Sequence, residues 1–162
     1  MPFDPPSSPP PTVGKPYEYE GRLYEFDGTV WRSKTNGVEN FYWVIALSDL
    51  ETPLTVGIKE AFPVERAFTL TALPRITLFN GPAGSAFTVR ISKNGDDIFE
   101  FANPLLIEAG RTRSATSTPQ AVYVSGAPSF VAGDNISFTV IQVGSTLAGT
   151  GLKAHLRGRW DE

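Results

Sequence analysis

The sequence predicts an all-β protein in three parts: a Pro-rich extended N-terminal arm, a small β-meander, and an antiparallel, jelly-roll-like β-sandwich. Three observations carry this. Short segments rich in Thr, Val and Phe alternate apolar and polar residues with period two, turn residues separate them at short intervals, and no window sustains a 3.6-residue apolar period between helix caps. The character of the sequence changes sharply at Tyr17, and beyond Asp49 it reads as a succession of short strands separated by turns, which sets the expected parts at residues 1–16, 17–48 and 49–162.

Seven of the 14 prolines fall in residues 1–16, and the run Pro5-Pro6-Ser7-Ser8-Pro9-Pro10-Pro11 lacks the amides that helix and sheet require. An extended polyproline-type arm follows, serving either as a spacer or as a strap laid along a partner. From Tyr17 the segments Tyr17-Glu18-Tyr19, Leu23-Tyr24-Glu25-Phe26 and Thr29-Val30-Trp31-Arg32 are separated by Glu20-Gly21 and Asp27-Gly28. Glycine at these corners supplies the positive φ of tight hairpin turns, and an aromatic at every second position builds one apolar face. The next strand, Phe41 to Leu47, does not alternate and is expected to be buried on both faces.

Beyond Asp49 the strands shorten and alternate. Phe68, Leu70 and Ala72 face one way, and Phe87, Val89 and Ile91 form another such strand. Lys93-Asn94-Gly95-Asp96 then turns the chain into Ile98 to Phe101 as a hairpin. Ala121 to Val124 reads as a short strand, and Ile136, Phe138, Val140 and Leu152, Ala154, Leu156 mark two half-buried ones. Gly144 to Gly151 reads as a long hairpin loop joining the last two, its small residues suited to close packing.

Composition excludes several function classes. With 162 residues, 41% hydrophobic, the chain holds one ordinary core and at most a small satellite unit. A formal net charge of −3 gives no basic excess to draw it onto nucleic acid or an anionic membrane. The lack of cysteine removes disulfide scaffolds, thiolate metal sites and cysteine nucleophiles, and a Ser-His-Asp triad would have to run through His155, the one histidine. No apolar stretch approaches the roughly 20 residues of a membrane-spanning helix. The opening residues lack the basic and apolar regions of a secretory signal, so no export is expected.

Candidate chemistry is sparse. Gly149-Thr150-Gly151-Leu152-Lys153 lacks the spacing of a phosphate loop and has no helix behind it. Asp96, Asp97 and Asp134 suggest calcium, but regularly spaced further ligands are missing, and turn aspartates bonding their own backbone are the better expectation. Seventeen acids offer many carboxylate pairs for a glycosidase, none in a setting that raises a pKa. His155 alternates with buried positions and reads as a surface or interface residue. No catalytic residue, metal or cofactor is expected. Tyr17, Tyr19, Tyr24, Phe26 and Trp31 are the main surface candidates: they either stack on sugars or a protein partner, or form the small core of the meander, the core role being favoured.

Thr52-Pro53-Leu54-Thr55-Val56-Gly57, Phe68-Thr69-Leu70-Thr71, Gly81-Pro82-Ala83-Gly84-Ser85, Phe87-Thr88-Val89, Lys93-Asn94-Gly95, Ile107-Glu108-Ala109-Gly110, Ala132-Gly133-Asp134 and Gln142-Val143-Gly144-Ser145-Thr146 through Lys153 follow one another in this order. Over residues 50–159 this series resembles a module common in virion structural proteins of tailed bacteriophages, often found at the C-terminal end of tail-fibre, head-fibre or capsid-associated proteins. Gly14-Lys15-Pro16-Tyr17 and Phe26 to Trp31 are similar to short aromatic meanders of phage appendages. The resemblance implies a β-sandwich, a non-enzymatic role and a place on the particle surface after synthesis in the host cytoplasm. The major capsid protein or other virion proteins are the implied partners, and a homotrimer the implied assembly. A chain this short has no shaft, which favours a capsid decoration or cement protein over a long fibre. The alternative is a short tail- or head-fibre adhesin for a host-surface glycan or receptor. The candidate partner-binding residues are Phe3, Pro5, Pro6, Pro9, Pro10 and Pro11 in the arm, with Tyr24 and Trp31 in the meander.

Overall fold

A computed structural model describes residues 39–161, together with Val13 and the backbone of three strands within residues 16–34. The chain divides into two compact units, residues 1–39 with Glu162, and residues 40–161. In the first unit, strands β1 (Pro16–Tyr19), β2 (Arg22–Phe26) and β3 (Trp31–Lys34) form an antiparallel sheet in the order β1-β2-β3. This is the expected meander. Its register pairs Tyr17 with Tyr24 and Tyr19 with Arg22 on one side, and Tyr24 with Ser33 and Phe26 with Trp31 on the other. Directly paired residues share a face, so Tyr17, Tyr19, Tyr24, Phe26 and Trp31 all take positions on one face of this sheet.

The second unit is a sandwich of two antiparallel sheets, as the alternating patterns predict. The first sheet runs β11 (Ser129–Phe130), β6 (Phe68–Leu70), β13 (Lys153–Trp160), β4 (Asn40–Ala46), with β7 (Arg75–Thr77) also paired to β13. The second runs β10 (Leu105–Ile107), β8 (Phe87–Lys93), β12 (Asn135–Gln142), β5 (Gly57–Pro63), with β9 (Asp96–Asp97) returning beside β8. Between them Phe68, Leu70, Ile76, Phe87, Ile91, Ile107, Phe130, Ile136, Phe138, Leu152 and Leu156 are each 0–1% exposed, a dry core supplied by the inward positions of both sheets.

One end of this core is aromatic. Phe68 stacks on Phe130 with centroids 4.8 Å apart and meets the edges of Phe41 at 5.2 Å, Trp43 at 5.4 Å and Trp160 at 5.9 Å. Gly158 makes room for this: a Cβ there would lie 2.5 Å from Cζ of Phe41 and 2.7 Å from the carbonyl oxygen of Thr69. Glycine inside β13 therefore reflects a ring lying directly on the backbone.

Several expectations need correction. β4 does alternate, with Phe41, Trp43 and Ile45 half-buried against the core and Tyr42 and Val44 exposed. Among the described strands it lies at the edge of its sheet, and its inner face packs on the core. Its seven pairs with β13 also place it in the sandwich, so the division falls between residues 39 and 40 rather than 48 and 49. Residues 144–151 cross from one sheet to the other instead of closing a hairpin, since β12 and β13 belong to different sheets. The close packing foreseen there does occur: the Thr146 amide donates to the Ala83 carbonyl, the Ala83 amide donates to the Leu147 carbonyl, and a Cβ on Gly144 would collide with the Leu147 carbonyl. Ala121 to Val124 forms single bridges rather than a strand, with Tyr123 stacked on Phe99 at 5.4 Å. The turn after β8 is as expected, with Asn94 and Gly95 both at positive φ (54° and 95°), but strand pairing ends at Asp97 and Phe101 is 94% exposed.

Candidate functional site: a basic groove on the outer face of one sheet

The outward positions of the β4-β13-β7 surface carry a concentration of positive charge. Lys153, His155, Arg157 and Arg159 occupy alternate places on β13, opposite the inward Ala154, Leu156 and Gly158. Arg157 pairs with Tyr42 on β4, and His155 pairs with Arg75 on β7. Arg113 arrives from a distant segment through a backbone bridge to Thr77. That segment is tied down. The buried Ser114 hydroxyl accepts the Ile76 amide at 2.9 Å, the Leu78 amide donates to the Thr112 carbonyl at 2.9 Å, and the Thr116 hydroxyl donates to the Arg113 carbonyl at 3.0 Å.

Tyr42, Leu73, Arg75, Thr77, Arg113, Thr116, His155 and Arg157 line a groove of about 380 Å³. At its floor the half-buried imidazole of His155 lies between two hydroxyls, Tyr42 at 2.7 Å from Nδ1 and Thr77 at 3.0 Å from Nε2. A neutral imidazole has one donor and one acceptor nitrogen, so one hydroxyl donates to it and the other accepts. The Arg157 guanidinium lies 5.0 Å from the centre of the Tyr42 ring. Among the described residues no carboxylate lines the groove and none pairs with Arg75, Arg113 or Arg157. By contrast Arg90, Lys93, Arg111 and Arg159 each have an acidic neighbour within 4 Å.

Burial holds the pKa of His155 below its ordinary value, and the charges of Lys153, Arg157 and Arg75 push it the same way. A lowered folded pKa means that the unfolded chain takes the proton first. His155 thus contributes stability that is complete above the unfolded value near 6.5 and is lost as pH falls toward the folded one. Since the chain has a single histidine, an NMR pH titration of its imidazole should give one midpoint below 6.5. A midpoint at or above 6.5 would show that burial and the surrounding charges do not depress it.

The sequence candidates are distributed differently. Phe3, Pro5, Pro6, Pro9, Pro10 and Pro11 lie outside the described residues. Tyr24 sits in the middle strand of the meander and Trp31 begins the third, on the same face. Of the turn aspartates, Asp97 and Asp134 are occupied structurally, while Asp96 is exposed. Asp97 pairs with Arg90 at 3.0 Å, while Asp134 accepts the Val131 amide at 2.8 Å, the Asn94 side chain at 2.7 Å and an ion pair from Lys93 at 3.0 Å. The first two of these hydrogen bonds hold the Asp134 carboxyl below the usual carboxylate range. Sequence reasoning placed His155 on an exposed face but missed the groove. The alternate basic residues of β13 were the available signal, whereas nothing in the linear order connects them with Arg75 and Arg113.

Fold and site together define an antiparallel two-sheet sandwich with a basic groove on one outer face. No family model matches the chain, and no curated protein or solved structure is similar to it.

Proposed function

We propose that this chain is a non-enzymatic structural protein of a tailed-phage virion, a capsid decoration or cement protein that binds the outer shell and stabilises it. The observation that carries this reading is the division at residue 39. Residues 40–161 form a compact unit of their own, and among the described residues every buried core residue lies within it. A self-contained body joined to a Pro-rich arm and a small aromatic sheet suits a protein that is held by one part and displays the other. Multiple copies, assembled as trimers with the major capsid protein as partner, would reinforce a shell through many weak contacts. The copy number in purified particles tests this: a ratio near one copy per major capsid subunit is expected, and a handful of copies per particle would contradict it.

The second reading, a short tail- or head-fibre adhesin for a host-surface glycan or receptor, is favoured by one observation. Tyr24 and Trp31 share a face with three further aromatic positions, a pattern suited to stacking on sugar rings. Replacing Tyr24 and Trp31 with Ala would then reduce host adsorption, whereas for a decoration protein it would alter assembly or stability.

A further inference from the structure

We propose that the groove between Tyr42, Arg75, Arg113, His155 and Arg157 is a binding site for an acidic sugar residue, a pyranose ring bearing a carboxylate. This goes beyond attachment to a shell and uses a different part of the molecule from the arm and the meander.

Charge is the first support. Three arginines from β13, β7 and the segment after β10 converge on one groove in a chain whose net charge is −3. Like charges brought together with no carboxylate among the described groove residues repel one another, and an anionic ligand would remove that repulsion. Arginine also presents a planar fork that matches a carboxylate in a bidentate manner.

Size and lining are the second. About 380 Å³ falls at the small end of ligand sites, enough for one or two sugar rings. The Thr77 and Thr116 hydroxyls, though each already in one hydrogen bond, keep acceptor capacity for sugar hydroxyls, Leu73 and Ala115 offer apolar contact, and Tyr42 itself is 54% exposed. Extended polyanions fit less well. Nucleic acid and membranes are bound by basic tracks that follow many phosphates, whereas these three arginines are confined to a single groove.

Solution NMR on the full chain tests the assignment, with the His155 imidazole as a reporter that no other histidine can obscure. The probes are glucuronate, glucose and inorganic phosphate. Glucuronate should shift the His155 resonances saturably with a Kd of about millimolar order, as befits one small ligand in an open groove. Glucose should leave them unchanged. Arg75→Ala, Arg113→Ala and Arg157→Ala should each weaken glucuronate binding about tenfold, with Arg→Lys at the same sites intermediate because charge is kept and the fork lost. Thermal unfolding of each variant verifies that it is folded, and its shell binding should remain normal, which separates this site from the attachment reading.

Three results would overturn the proposal. Absence of a saturable shift up to about 100 mM glucuronate would remove the site. Phosphate binding as tightly as glucuronate would leave a simple oxyanion site without sugar recognition. Undiminished binding in all three alanine variants would place the ligand elsewhere.

Discussion

Phe68→Ala should lower the unfolding free energy of the sandwich by about 3–5 kcal/mol, the range for removing a large buried aromatic side chain. Domains of this size are stable by about 5–15 kcal/mol, so the loss would be a large fraction of the total. The expectation rests on position. Phe68 has no exposed surface and is the ring that Phe41, Trp43, Phe130 and Trp160 all touch, joining β4, β11 and the end of β13. Its loss would open a cavity whose walls are rigid rings, which collapse poorly. Phe101, which is 94% exposed, serves as the control, and Phe101→Ala should change stability by no more than about 0.5 kcal/mol. Urea unfolding followed by tryptophan fluorescence measures both, since Trp43 and Trp160 lie against Phe68. Equal effects from the two substitutions would show that the aromatic end is not a working part of the core.

The period-two pattern explains why the fold class could be read from the sequence. In β12, Ile136, Phe138 and Val140 are buried while Ser137 and Thr139 are half-buried; in β13, Ala154 and Leu156 are buried while Lys153 and Arg157 are exposed. A sheet with one face on a core leaves this signature wherever its strands are long enough. It fails on β4. Aromatic and aliphatic residues on both faces mimic a strand buried on both sides, although Tyr42 and Val44 are in fact exposed. Pairing between strands was also beyond local reading. β4 joins β13 across more than a hundred residues, and a two-residue turn signal cannot reveal such a contact.

The groove was less legible for a related reason. His155, Arg157 and Lys153 were visible as alternate residues of one strand, but a binding site requires convergence. Arg75 reaches it through β7, and Arg113 through a bridge to Thr77 anchored by the buried Ser114 hydroxyl. These are tertiary facts set by long-range pairing. The acidic net charge of the whole chain also masked a local basic cluster, because a sum over all residues carries no spatial information.

Removal of residues 1–16 should abolish binding to the shell while leaving the sandwich intact. The proline run restricts the unbound arm, so less conformational entropy is lost when it is laid along a surface, and an extended segment offers much contact per residue. Because residues 40–161 form a compact unit of their own, the truncation should not change its urea midpoint. The decisive measurement is co-sedimentation of the full chain and the truncated chain with purified shells that lack the protein. The full chain should pellet with the shells to saturation and the truncated chain should stay in the supernatant, with unchanged unfolding behaviour. Pelleting of the truncated chain at the level of the full chain would contradict attachment through the arm, and failure of the full chain to bind any shell would contradict the decoration role itself.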